Sequence, residues 1–194
     1  GTVGAGVVAC VQKNAELMAE RTGIRPVIAR IADLDVTTDR GIPVPDGVLT
    51  KDASAILEAD DIDVMVELIG GTTVAKDFVL RSLRNGVPVV TANKALLAEH
   101  GRELLDVAAE TGVDLYYEAS VAGGIPVIKA VREGLVGNRI EEIVGILNGT
   151  CNYILTRMET EGLTFETILA EAQRLGYAEA DPGLDVDGID AAHK

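Results

Sequence analysis

Apolar residues recur at helical spacing from the start of the chain: Val7, Val8, Val11, Leu17 and Met18 predict a helix over residues 4–22. Short β-branched runs then alternate with longer amphipathic segments. Strands are predicted at 27–31, 62–69 (IDVMVELI), 87–91 (VPVVT) and 114–118. Helices are predicted at 52–58, 73–83 and 94–110, with Asn85-Gly86 stopping the second of them. This alternation is the signature of βαβ units and a parallel sheet. After Glu118 the texture changes. Gly123-Gly124 and Pro126 precede an amphipathic helix to about Leu135, and a strand is predicted at 139–147. Helices follow at 150–161, with Thr150 as its N-cap, and at 164–175. Residues 176–188 read as a loop rich in acids, Gly and Pro, and 187–194 begin a last helix capped by Asp187. The predicted architecture is α/β: a Rossmann-type doubly wound parallel sheet in residues 1–117, then the start of an α+β domain in 118–194. No repeat, low-complexity tract or long linker interrupts it.

Composition supports a sheet buried on both faces. Apolar residues make up 47% of the 194, yet there are only two Phe, four Tyr and no Trp. Such a core is built from Val, Ile, Leu and Ala, as parallel strands covered by helices require. Seventeen basic and 31 acidic residues leave a net charge of −14, which argues against nucleic acid as a partner. No run approaches 18 apolar residues, so no spanning helix is expected. Cys10 and Cys151 give neither a disulfide framework nor metal spacing, and a reducing cytoplasm is the expected setting. His100 and His193 read as incidental. Asn148-Gly149-Thr150 fits a glycosylation sequon, which a cytoplasmic protein would not use. The chain opens at Gly1 without a basic or apolar leader and reads as an internal piece of a longer protein.

The first residues carry candidate chemistry. In Gly1-Thr2-Val3-Gly4 the two glycines have the spacing of the second and third glycines of a dinucleotide fingerprint. In that reading Gly1 lets the backbone approach a pyrophosphate, and Gly4 lets the helix pack on the sheet. The helix-start N–H groups of Gly1, Thr2, Val3 and Gly4 would hold the anion. An ordinary glycine-containing helix start fits the same residues. An acid after the second strand of such a fold binds the ribose 2′-hydroxyl of NAD; Asp33 and Asp35 are the candidates. Arg30 would instead suit the 2′-phosphate of NADP. The residues leave that choice open.

Three further segments carry a family resemblance: Thr91-Ala92-Asn93-Lys94 after a predicted strand, 118–126 (EASVAGGIP), and 172–194 (AQRLGYAEADPGLDVDGIDAAHK). Together they closely resemble homoserine dehydrogenase, most specifically at Ala172, Gly176, Asp181-Pro182, Asp185, Gly188, Asp190 and Lys194. The resemblance covers essentially the whole chain, and implies NAD- or NADP-dependent interconversion of homoserine and aspartate 4-semialdehyde in amino-acid biosynthesis. It implies Lys194 as general acid/base, Asp190 orienting the proton-transfer group, and Lys94 as a second cation near nicotinamide and substrate. Glu179 and Asp185 are implied at the substrate, whose α-ammonium calls for carboxylate partners. Thr91 and Gly176 join Gly1, Thr2, Val3, Gly4 and Lys94 at the cofactor. A monovalent-cation site, usually sodium, is implied at Glu118 and the main-chain oxygens of Val121, Gly123 and Ile125. The resemblance further implies a homodimer that acts on small molecules, away from membranes.

Two other readings stay open on the residues: another semialdehyde-handling oxidoreductase on the same fold, and a nucleotide-sensing module without chemistry. An acylating enzyme would need a catalytic cysteine, and Cys151 has no supporting motif. The cluster of two lysines and three carboxylates argues against a sensor.

Overall fold

A computed structural model describes residues 1–179 and 181–194; Ala180, inside the predicted 176–188 loop, lies outside the described residues. The chain divides into two compact units, Gly1–Tyr117 and Glu118–Lys194.

In the first unit, helix α1 (Thr2–Thr22) leads to strand β1 (Ile31–Ala32), which pairs in parallel with β2 (Leu49–Thr50). Helix α2 (Ser54–Leu57) precedes three parallel strands in the order β3 (Met65–Glu67), β4 (Val89–Thr91), β5 (Leu115–Tyr116). Helices α3 (Thr73–Arg84) and α4 (Lys94–Thr111) make the crossovers between them. The core lies under this second sheet. Ala75, Val79, Leu80 and Leu83 share one face of α3 and pack with Leu96, Leu104 and Ala108 of α4 against Met65, Val89 and Leu115. Asn93 caps α4 through a hydrogen bond accepted from Leu96 N, and Gly112 ends the helix in the left-handed conformation. The predicted strand at 27–31 is displaced: only Ile31–Ala32 pairs, and β2, absent from the predicted elements, is its partner. The β-branched run before it includes exposed Val27, so the apolar pattern did not mark the paired residues.

The loop after β1 is held by its own acids. The Asp35 carboxylate accepts bonds from the Thr37 and Thr38 N–H groups and the Thr37 hydroxyl. A bond from the Thr38 side chain, the largest influence, and these further bonds hold its pKa far below the ordinary carboxylate range.

The second unit opens with a single 3₁₀ turn (Glu118–Ser120). Helix α5 (Val127–Lys129) then widens into a π-turn (Ala130–Gly134). Helices α6 (Gly149–Glu161) and α7 (Phe165–Arg174) form a hairpin around buried Ile154, Ile168 and Ala172. Arg157 on α6 bonds both Glu161 oxygens, the Tyr153 hydroxyl and Glu171 of α7, and its guanidinium lies 5.6 Å from the centre of the Tyr153 ring. These partners raise its already high pKa and lower that of Glu161. Two short helices, α8 (Gly183–Val186) and α9 (Ile189–His193), end the chain.

Three local expectations are corrected here. Residues 139–147 form no strand; among the described residues no neighbouring strand satisfies their N–H and C=O groups, and Ile143, Val144 and Ile146 stand in solvent. Asn148, not Thr150, caps α6, accepting from Cys151 N at 2.7 Å, while the Thr150 hydroxyl donates to the Tyr177 carbonyl. Gly188 in the left-handed conformation, not Asp187, precedes α9; Asp187 ends α8. No helix among the described residues is long and apolar enough to cross a membrane.

Candidate active site

Parallel strands gather their carboxyl ends on one edge of a sheet, and in open α/β sheets that edge receives the ligand. Glu67 ends β3 and Thr91 ends β4. Both are buried, and the Thr91 hydroxyl donates to Glu67 Oε2 at 2.6 Å. The other Glu67 oxygen accepts from Ile69 N at 2.7 Å and Gly70 N at 3.3 Å. Thr91 Oγ1 accepts from Asn93 N, and Asn93 Nδ2 donates to the Gly71 carbonyl at 2.7 Å. A closed ring of bonds therefore fixes the 68–71 turn against the first turn of α4, where Lys94 is the first helical residue. The Thr91 side chain is occupied inward, so any ligand contact it makes is through its main chain. Sequence reasoning missed Glu67; the available signal was an acid inside an otherwise apolar strand run.

At the start of α1, Gly1 occupies the N-cap position, and Asp33 comes directly after β1. Thr2 and Val3 are exposed in the first turn. A Cβ built on Gly4 would lie 4.0 Å from Leu68 Cδ1, just beyond β3. Arg30 pairs with Asp61 ahead of β1, and Arg40 is the cation beside Asp33 and Asp35, at 3.3 and 3.4 Å. Arg30 and Arg40 thus stand on either side of β1, each paired with acids.

In the second unit, Asp190 and Lys194 share one face of α9, with Lys194 Nζ 2.8 Å from Asp190 Oδ2. Lys194 Nζ also donates to the Leu147 carbonyl at 2.7 Å. Asn148 Nδ2 donates to both Asp185 Oδ1 and Asp190 Oδ2 at 2.8 Å. The Cys151 thiol donates to the Asp185 carbonyl at 3.0 Å, so it is engaged structurally. Three predicted site residues, Asp185, Asp190 and Lys194, are thus brought together, and Asn148 was missed. Its signal was an Asn two residues before Thr150, at the end of the 139–147 apolar run. Glu179 lies outside this cluster, exposed, with its main-chain carbonyl accepting from Gln173 Nε2. Gly176 follows α7 at φ 78°, a left-handed conformation that accounts for a glycine there.

Glu118 has a different placement from the one expected of a cation ligand. Its two oxygens accept from Ile128 N at 2.9 Å and Lys129 N at 2.8 Å, capping α5. The Ile125 carbonyl accepts from Val127 N, and Val121 and Gly123 flank the positive-φ residue Ala122. Among the described residues no group of three or more His, Cys, Asp or Glu side chains could hold a metal. The Glu118 carboxylate is thus turned onto α5.

Parallel strands with helical crossovers, a glycine-led helix ahead of a strand that is followed by an acid, and an Asp–Lys pair in a second unit define a Rossmann-type nucleotide-binding enzyme scaffold. The comparisons agree. The family profile described as homoserine dehydrogenase, NAD binding domain, matches residues 1–118, and that described as homoserine dehydrogenase matches 126–194. The homoserine dehydrogenases of Pseudomonas aeruginosa and Neisseria gonorrhoeae are 52% and 49% identical over all of this chain. The structure of the homoserine dehydrogenase of Thiobacillus denitrificans superposes with a TM-score of 0.87 at 46% identity, over 100% of this chain and 45% of its own. A hyperthermophilic archaeal homoserine dehydrogenase in complex with NADPH gives 0.61 at 35% identity, over 68% of this chain and 41% of its own. The chain belongs to the homoserine dehydrogenase family. It spans about 44% of the length of the two bacterial relatives first named.

Proposed function

We propose that this chain supplies the nucleotide-binding and proton-transfer parts of a homoserine dehydrogenase, which interconverts homoserine and aspartate 4-semialdehyde with NAD or NADP. The observation that carries this reading is the Asp190–Lys194 pair, held with Asp185 beside Asn148. The nicotinamide would supply the hydride chemistry, accepting hydride from the carbinol carbon or returning it to the aldehyde. The protein's share is to position the substrate and move a proton at its oxygen. A lysine ammonium carries three hydrogens. Lys194 Nζ gives two of them, to Asp190 and the Leu147 carbonyl, which leaves one for the oxygen of the substrate. Asp190 orients the ammonium. Asp185 and Glu179 supply carboxylates for the substrate ammonium, and Lys94 a cation from the first turn of α4.

At the cofactor, Gly1, Thr2, Val3 and Gly4 present the N-terminus of a 21-residue helix to the phosphates. Asp33 faces the ribose, and Arg40 beside it is the available partner for a 2′-phosphate. Thr91 contributes its main chain and Gly176 the close approach of a residue without a side chain. The family resemblance also implies sodium at Glu118 and the main-chain oxygens of Val121, Gly123 and Ile125. The residues 1–117 and 118–194 then correspond to cofactor-binding and catalytic domains of a cytoplasmic enzyme that acts as a homodimer. Engagement of the Cys151 thiol with the Asp185 carbonyl counts against an acylating alternative.

The test is homoserine-dependent reduction of NADP, followed by absorbance, in a protein of the relatives' full length that carries these 194 residues. Lys194→Ala should lower kcat by about 10²–10⁴-fold, the usual contribution of general acid/base catalysis, and leave nucleotide affinity unchanged. A variant with near-normal kcat removes Lys194 from the mechanism.

A further inference from the structure

Asn148 is only 8% exposed, and all three of its side-chain bonds point at different elements. Oδ1 accepts from Cys151 N at the start of α6, and Nδ2 donates to Asp185 of α8 and Asp190 of α9. The Cys151 N–H can only donate, so the amide oxygen must face it and the NH₂ must face the carboxylates. The residue before it, Leu147, offers its carbonyl to Lys194 Nζ. The Leu147–Asn148 dipeptide therefore grips both ends of the Asp190–Lys194 pair. Asp190 Oδ2 is itself held from two sides, by the carboxamide and by the ammonium.

We infer that Asn148 is a positioning residue for proton transfer: its carboxamide clamps the Asp185 and Asp190 carboxylates and, through Asp190, fixes the Lys194 ammonium. This rests on the function proposed above. Two carboxylates bonded to one nitrogen lie within twice 2.8 Å of each other and repel. A neutral group with two N–H donors at that point offsets the repulsion; a hydroxyl could serve only one of them, and a carboxylate neither. The titratable groups facing the amide are Asp185, Asp190 and Lys194, with the Cys151 thiol behind Asp185. Once the clamp is lost, Asp185 and Asp190 separate and the ammonium is no longer held in a single direction. Misplacement on the order of 1 Å costs about a hundredfold in rate.

Asn148→Ser and Asn148→Asp test this, because Ser and Asp cap a helix about as well as Asn and should preserve α6. In the full-length protein, thermal unfolding of Asn148→Ser should stay close to that of the unsubstituted form, whereas Asn148→Asp, which sets a third carboxylate beside Asp185 and Asp190, should unfold at a lower temperature at neutral pH. The kcat for homoserine should fall about tenfold to a hundredfold, with nucleotide Kd changed less than twofold. In Asn148→Asp the introduced carboxyl becomes a donor only when protonated, and two neighbouring carboxylates raise its pKa. Its kcat relative to the unsubstituted enzyme should therefore climb as pH falls from 8 to 5.5, while that of Asn148→Ser should not. Values of kcat within twofold of the unsubstituted enzyme in both variants overturn the inference, as does an equal, pH-independent loss in both. Should the unsubstituted protein bind nucleotide yet leave homoserine unchanged, the proposed function fails. The clamp is then judged by proton exchange at Lys194 Nζ in ¹⁵N spectra, which speeds up several-fold in Asn148→Ser if the clamp exists and is unchanged if it does not.

Discussion

Replacing Thr91 by valine removes one hydroxyl from the ring of bonds at the carboxyl edge of the sheet and alters almost nothing else. Thr91 is fully buried, and a methyl group fills the hydroxyl's space, so no cavity opens. The lost bond to Glu67 Oε2 is short and charge-assisted, worth about 1.5–3 kcal/mol. The bond accepted from Asn93 N adds about 1 kcal/mol. The total, about 3 kcal/mol, is a large share of the 5–15 kcal/mol by which a domain is typically stable. With a urea m-value of about 1–3 kcal/mol/M, the midpoint for the first unit should fall by about 1–3 M. Far-UV circular dichroism reads this transition, and an unchanged m confirms that only stability has moved. Thr91→Ser is the control, since it keeps the hydroxyl and loses a methyl, and should cost about 1 kcal/mol. A Thr91→Val loss below 0.5 kcal/mol, or a larger loss in Thr91→Ser, refutes the assignment of the Thr91–Glu67 bond as a main support of this edge.

Two further outcomes follow from the ion pairs. Arg157→Lys cannot reproduce a fork that reaches Glu161, Glu171 and Tyr153 together, so calorimetry should show a lower melting temperature for the second unit; an unchanged value would dissociate the α6–α7 hairpin from Arg157. Asp35, Glu161, Asp61 and Glu103 all titrate lower in the folded chain than their ordinary values of 3.8 and 4.5, through bonds to Thr38, Arg157, Arg30 and Lys76 respectively. The unfolded chain therefore binds more protons just below those values, and the stability these acids give at neutral pH drains away as pH falls from about 4.5 through 3. A urea midpoint that holds steady or rises between pH 6 and pH 3 contradicts this.

Much of the first unit was legible because its helices obey a single period. Ala75, Val79 and Leu83 repeat every four residues and lie on the buried face of α3, and Asn85-Gly86 marks where that helix stops. The strands were legible as segments but not in length, since only three residues of IDVMVELI pair, and Val66 at the centre of them is exposed. Residues 27–31 and 139–147 misled for a shared reason. Apolar alternation records which side chains can be buried, whereas a strand exists only where another backbone accepts its hydrogen bonds. At the candidate site, Asp190 and Lys194 were readable from their four-residue spacing within a specific motif. Asn148 was not, because its two carboxylate partners lie 37 and 42 positions along the chain. For Glu118 the position in the motif was clear, and only the fold shows that both its oxygens meet the N–H groups of α5.

The unpaired segment 139–147 bears on how the chain behaves at high concentration. Ile140, Ile143, Val144, Ile146 and Leu147 present an exposed, β-branched-rich ribbon whose main chain has no ladder partner among the described residues. Segments of that composition nucleate intermolecular β-stacking when they meet one another. Here Glu141 and Glu142 sit inside the ribbon as gatekeepers, and a net charge of −14 keeps molecules apart at low ionic strength. Colloidal stability of the isolated chain therefore depends on its acids being ionised and unscreened, and turbidity should develop as salt is raised or the pH approaches the isoelectric point near 4.5.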